Sequence, residues 1–368
     1  MSFTPTAASD NPFQSFWWAG FECTDQLNCF GNRVDFLPLT GHLPLLREDY
    51  QRLDRFNIRT VREGIRWSQV ERTPYRYDWR VVESMLAEGH RQGIQQIWDL
   101  CHFGYPDDEL IVTPINEVSF MSWLGGEARG TSPYCVGQGW EVKYGLMRAY
   151  IEGTAAMREI DPGIRILTTE PLVQIVPPMN ATEQEIIDAA LQDEYQFQAV
   201  DILSGQMCPE LGGSPDYLDI LGFNYYYNNQ WLLGLGSFLP WNDTPPDPRW
   251  VEPRRLFMKA HRRYTRPIAI TETSHPGIDR PVWIEMIGRE CAAVIEQGVP
   301  LWGVCLYPIV DRPDWDHLDH WHHSGLWDAD LTTTPPGRVL YKPYAEALLR
   351  AQHTVATVQP ATNAVLTT

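Results

Sequence analysis

Ile268-Ala269-Ile270-Thr271-Glu272-Thr273-Ser274 is an apolar, partly β-branched run that closes on a carboxylate. Thr113-Pro114-Ile115-Asn116-Glu117 closes the same way in the first half of the chain. Each reads as the end of a strand that closes on a glutamate. Six further short apolar runs, at 16–22, 60–65, 94–100, 164–170, 218–226 and 299–307, bring the strand count to eight with these two, read as 111–117 and 267–273. Amphipathic stretches at 47–56, 79–92, 141–160, 183–199, 254–264 and 281–297 lie between them. Eight strands alternating with helices, with no glycine-rich nucleotide fingerprint, predict an α/β fold: a single closed (β/α)8 TIM barrel rather than an open doubly wound sheet. In such a barrel every strand ends at one rim, so Glu117 and Glu272 emerge on the same side.

Helix stops agree with this reading. Gly93, Gly163 and Gly298 each stand just before a strand, where a left-handed cap residue is wanted. One connection is too short. Residues 101–110 must join two successive parallel strands, although a crossover with its helix takes at least a dozen residues. Either the third crossover helix is missing, or residues are absent between Asp108 and Glu109. The barrel domain is assigned to residues 1–355 and a loose tail to 356–368, with no repeat or linker to divide the chain.

The 368 residues are 43% hydrophobic and 21% charged, as in an ordinary globular protein with ample core. A net charge of −18 repels phosphate backbones and anionic lipid, which argues against nucleic-acid and membrane partners. Residues 1–11 lack the basic and apolar blocks of a secretory signal, and no apolar run approaches the roughly 20 residues that span a bilayer. Seven cysteines, odd in number and without CxxC spacing, fit reduced thiols in a cytoplasmic protein. Most of the 15 Trp and 16 Tyr are read as core, and roughly a third of these rings as lining a pocket that stacks flat sugar faces.

Two carboxyl groups about 5 Å apart on either side of a glycosidic bond are the apparatus of a retaining glycosidase. Seven short blocks, in order from residue 18 to 328, resemble those of the family 1 glycoside hydrolases, the β-glucosidase family of the (β/α)8 retaining clan. Trp18-Ala19-Gly20-Phe21-Glu22-Cys23-Thr24-Asp25-Gln26 resembles W-G-A-x-x-x-x-x-Q, and Val61-Arg62-Glu63-Gly64-Ile65-Arg66-Trp67 resembles Y-R-F-S-I-S-W. His102-Phe103-Gly104-Tyr105-Pro106 is similar to H-W-D-L-P, Asn116-Glu117 to the N-E of the acid/base motif, and Leu221-Gly222-Phe223-Asn224-Tyr225-Tyr226 to G-x-N-Y-Y. Ile270-Thr271-Glu272-Thr273-Ser274 resembles I-T-E-N-G, and Tyr307-Pro308-Ile309-Val310-Asp311-Arg312-Pro313-Asp314-Trp315 resembles W-S-L-x-D-N-F-E-W.

The resemblance implies Glu117 as acid/base and Glu272 as nucleophile, Arg62 and Tyr226 as supports of that nucleophile, and no cofactor. It implies sugar contacts from Gln26, His102, Asn116, Asn224, Tyr307, Asp314 and Trp315. Val118 for proline, Thr273-Ser274 for Asn-Gly, Tyr307 for tryptophan and Asp314 for glutamate depart from the pattern and leave the sugar open. The partner expected is a small-molecule or oligosaccharide glycoside; oligomeric state is not legible. Transglycosylation, another glycoside of the clan, and a non-catalytic carbohydrate-binding barrel stand as alternatives. His317, His320 and His322 are metal-ligand types, but with no Cys2His2 spacing or HExxH helix they are read as part of a sugar-binding loop, with no metal. Glu170, ending the fifth strand, is a third rim carboxylate, read as a ligand of substrate or a partner for a histidine.

Overall fold

A computed structural model describes residues 11–100, 111–234 and 236–359. Its barrel strands are β1 (Trp17–Gly20), β2 (Thr60–Gly64), β3 (Gln95–Asp99), β4 (Ile111–Thr113), β5 in two pieces (Arg165–Ile166 and Glu170–Pro171), β6 (Leu221–Asn224), β7 (Ile268–Thr273) and β8 (Leu301–Leu306). All pair in parallel, in the spatial order β5-β4-β3-β2-β1-β8-β7-β6-β5. The fifth strand closes the ring. Leu167 N donates to Val112 O at 2.9 Å on one side, and Thr168 N donates to Ile220 O at 3.0 Å on the other. Gly222 permits this closure, because a Cβ there would lie 1.9 Å from Thr168 O.

Inside the ring the strands alternate as the pleat requires. Trp18, Ile97, Ile111, Leu167, Ile220, Ala269 and Cys305 form one apolar floor. One step further along the strands the inward positions turn polar: Arg62 on β2, Asp99 on β3, Asn224 on β6 and Thr271 on β7, all fully buried. The outward positions pack under helices α1 (Leu46–Leu53), α2 (Arg80–Gln92), α3 (Val118–Gly126), α4 (Gly139–Ile160), α5 (Glu183–Glu194), α6 (Gln198–Leu203), α7 (Pro253–Tyr264), α8 (Arg280–Glu296) and α9 (Lys342–Ala356).

Gly93 (φ 65°) and Gly298 (φ 78°) take the left-handed conformation expected of them. Gly163 does not. Helix α4 stops at Asp161, which is extended (φ −129°, ψ 100°) as a residue before proline must be, and Asp161 Oδ1 takes the Gly163 N–H at 2.8 Å. The helix expected over 183–199 breaks into α5, a 3-10 turn and α6. There the side chains of Asp193 and Gln196 hold the backbone N–H groups of Ile175 and Val173. The short connection 101–110, with His102 and the question of a missing helix, lies outside the described residues, as do residues 1–10 and the tail from 360. The strands on both sides of that connection pair in register, Trp98 with Val112 and Asp99 with Thr113. Among the described residues no helix is long and apolar enough to cross a membrane, and the six described cysteines are unpaired thiols.

Candidate functional site

Glu272 reaches the barrel interior through an irregularity in β7. Plain alternation from the inward Ala269 would send Glu272 outward, with Ile268 and Ile270. The register of β7 against both neighbours shifts at this point. Thr271 then faces inward, giving its hydroxyl to Asn224 Oδ1 at 2.7 Å, while Thr273 faces the helix layer and takes Trp283 Nε1–H at 2.9 Å. The bulge leaves Glu272 inward as well, 5% exposed, between Arg62 Nη1 (2.7 Å to Oε1) and Tyr226 O–H (2.7 Å to Oε2).

Glu117 is aimed by a different device. It stands between β4 and α3 in the left-handed region (φ 49°, ψ 58°), which costs a side-chain-bearing residue about 1–3 kcal/mol. Its N–H donates to Thr169 O at 2.7 Å, and α3 starts at the next residue. Asn224 Nδ2 then donates to Glu117 Oε1 at 2.9 Å. Glu117 and Asn116 are partly exposed, so a ligand can reach them, whereas Arg62 and Asn224 are sealed.

One hydrogen-bonded frame joins the two carboxyls. Arg62 Nη1 holds Glu272, and Arg62 Nη2 donates to Asn116 Oδ1 at 3.0 Å. Asn224 Nδ2 touches both Asn116 Oδ1 (3.3 Å) and Glu117. Asp99 receives Arg62 Nε at 2.9 Å and Nη2 at 2.8 Å, so the guanidinium is fixed from below. Removing water favours the neutral form of a carboxyl, and a neighbouring negative charge does the same. Glu117 is accordingly pushed up to about 8, first by burial and then by Glu272. Burial raises Glu272 too, but Arg62 and the Tyr226 hydroxyl oppose it. Of the pair, Glu272 is therefore the one that ionises first.

The other expected residues are distributed around this frame. Tyr307 is buried beneath it, with the Arg62 guanidinium 5.1 Å from its ring centroid and its hydroxyl donating to Glu22 Oε1 at 3.0 Å. Asp314 and Trp315 lie on the loop after β8. Asp314 pairs with His322 Nε2 at 3.3 Å, and Trp315 lies beside Arg312 and Phe120. Gln26 sits in a rim hairpin, Asp25–Leu27 against Arg33–Asp35, and among the described residues no side-chain hydrogen bond ties it to the carboxyls. Among the described residues Glu170 faces no histidine, and His102 lies outside them. Glu170 is 3% exposed, accepts Ser119 N–H at the start of α3 (3.1 Å), and its charge adds to the rise of Glu117.

Sequence reading passed over Asp99 and Glu22. Glu22 Oε1 also accepts the Thr24 hydroxyl at 2.7 Å, and Oε2 pairs with Arg312 Nε at 3.0 Å. Glu22 ends its strand-like run and Asp99 stands one residue before the end of its own, close to the signal that singled out Glu117 and Glu272.

No family model and no curated protein matches the sequence. Solved structures do match its fold. A family 1 β-glucosidase from Thermotoga maritima superposes with TM-score 0.66 at 13% identity, covering 86% of this chain and 87% of that one. A Thermotoga maritima β-glucosidase in complex with castanospermine gives TM-score 0.70 at 14% identity, over 92% and 97% of the two chains. A β-glucosidase from Exiguobacterium marinum gives 0.67 at 12%, over 85% and 87%. The chain thus has the (β/α)8 barrel of these proteins across nearly its whole length.

Proposed function

We propose that this chain is a glycoside hydrolase, a retaining β-glycosidase with Glu272 as nucleophile and Glu117 as acid/base. The observation that carries the reading is the shared frame: two interior carboxyls joined through Arg62, Asn116 and Asn224, one facing a guanidinium and a phenol, the other facing an amide. Similarity to β-glucosidase folds supports it.

The two environments divide the labour. In the first step the ionised Glu272 attacks the anomeric carbon while Glu117 gives its proton to the departing aglycone oxygen; the C–O bond to the aglycone breaks as the ester bond forms. Esterification removes the charge on Glu272 and with it the repulsion that raised Glu117. Glu117 becomes a base, takes a proton from water, and the hydroxide equivalent releases the sugar with Glu272 as leaving group. Asn116, whose carbonyl oxygen is occupied by Arg62 and Asn224, has its amide hydrogens left for a sugar hydroxyl. Tyr226 and Arg62 keep the nucleophile bare and oriented, and Asp314 and Trp315 suit sugar hydroxyls and a ring face.

A panel of aryl β-glycosides tests this. Wild type is expected to release the phenol, and Glu272→Ala to lose at least about 1,000-fold in kcat. Azide should restore turnover in that variant and yield the glycosyl azide of inverted configuration. Binding of sugars with no turnover of any of them would establish a binding barrel instead, and a first-formed sugar of inverted configuration from wild type would exclude the ester intermediate.

A further inference from the structure

On the flank of the loop that follows β8, three side chains from two segments converge. Asp311 lies in the loop five residues past the end of β8, His323 closes that loop, and Asp328 lies in the strand Trp327–Asp330. Each offers one ligand atom, and the three atoms lie within 4.8 Å of one another. His323 Nδ1 stands 3.5 Å from Asp311 Oδ2 and 3.6 Å from Asp328 Oδ1. Asp311 is fully buried; its Oδ1 accepts the Ser324 N–H at 3.0 Å, while Oδ2 accepts no hydrogen bond. A buried carboxylate oxygen without a donor is costly and is found where something else completes it.

From these distances we infer a divalent transition-metal site of the zinc class, held by Asp311, His323 and Asp328. Separations of 3.5 and 3.6 Å are too long for charge-assisted hydrogen bonds, so a proton on His323 does not bridge the gap. They are close to the spacing of two ligands on one tetrahedral ion, about 3.3–3.4 Å for bonds of 2.0–2.1 Å. The supporting shell is present. The Ser324 N–H orients Asp311, and Arg280 Nη1 donates to Asp328 Oδ1 at 2.7 Å, leaving the cluster one net negative charge with His323 neutral. Asp319 and His320 line the same cleft as Asp311 and His323. The ion would pin the loop bearing Asp314 and Trp315 to the strand Trp327–Asp330. It takes no part in the chemistry proposed at the barrel mouth, and stands whether or not that reading does.

The test is titration of chelator-treated full-length protein with Zn2+ alone, by calorimetry and thermal unfolding. One ion per chain is expected to bind and raise the unfolding temperature. His323→Ala, an exposed position that leaves the core intact, should weaken binding at least about tenfold, the effect that loss of even a supporting partner has. Asp311→Asn should do the same, and His317→Ala, on the same loop, should change nothing. Absence of a stoichiometric site in wild type overturns the assignment, as does binding of equal affinity in His323→Ala.

Discussion

At the scale of single residues, the site departs from what stability alone would choose. Glu117 holds a left-handed backbone and a carboxyl largely withdrawn from water, and the Arg62 charge is buried entirely just above the apolar barrel floor. Such departures are what a reactive pair needs, since the same desolvation that opposes folding separates the two proton affinities. The pH dependence follows. As the acid of the first step Glu117 must carry its proton, and its carboxyl is pushed up to about 8. Activity measured as kcat/KM should therefore hold through neutrality and fall about tenfold per pH unit above about 8. On the acid side it should fall as Glu272 takes up a proton. An alkaline limb near 5 or 6 would show that burial and Glu272 do not raise the acid as this geometry implies.

At the scale of elements, the bulge in β7 decides which way the nucleophile points, and Thr271 is the residue that secures it. Its hydroxyl fixes Asn224 Oδ1, so that Nδ2 faces Glu117 and Asn116. Thr271→Val keeps the shape and removes that donor. Stability should drop by about 1–3 kcal/mol, the cost of leaving a buried acceptor unmet, read as a lower midpoint in urea at unchanged slope. With the Asn224 amide no longer locked, kcat should fall about tenfold or more while the fold persists. A variant with lowered stability and unchanged kcat would mean that Asn224 keeps its orientation without Thr271.

At the scale of the molecule, a second polar network ties the two ends of the chain together away from the mouth. His42 is buried with both ring nitrogens on carboxylates, Nδ1 at 2.8 Å from Asp49 and Nε2 at 3.1 Å from Glu63, and its ring stacks on Phe21. Both contacts are hydrogen bonds only if the ring is a cation. Arg338, from the strand Gly337–Leu340 near the C-terminus, grips Asp49 at 2.9 and 2.7 Å, Arg52 reaches the same carboxylate, and Tyr50 donates to Glu63. Burial lowers the His42 proton affinity, but the two carboxylates outweigh it and the net shift is upward. A histidine raised in the folded state contributes stability that is complete below about 6.5, its unfolded value, and is lost as pH rises through the folded one. The difference in melting temperature between wild type and His42→Gln should therefore be largest in mild acid and shrink above neutrality. A difference independent of pH would mean a neutral ring.

The sequence by itself determined the barrel, because eight apolar runs separated by helix-length stretches have few other ways to hide their surface. It also marked both central carboxylates, since each ends such a run. What it could not show is orientation. Along Ala269-Ile270-Thr271-Glu272 the alternation points Glu272 at the helices, and only the register shift against β6 and β8 turns it inward. Likewise Asp99 and Glu22 acquire their partners Arg62, Tyr307 and Arg312 only when the ring closes. Pattern along a chain reports which residues are buried; which way a bulged strand aims them, and what charge they meet there, is set by neighbours distant in sequence.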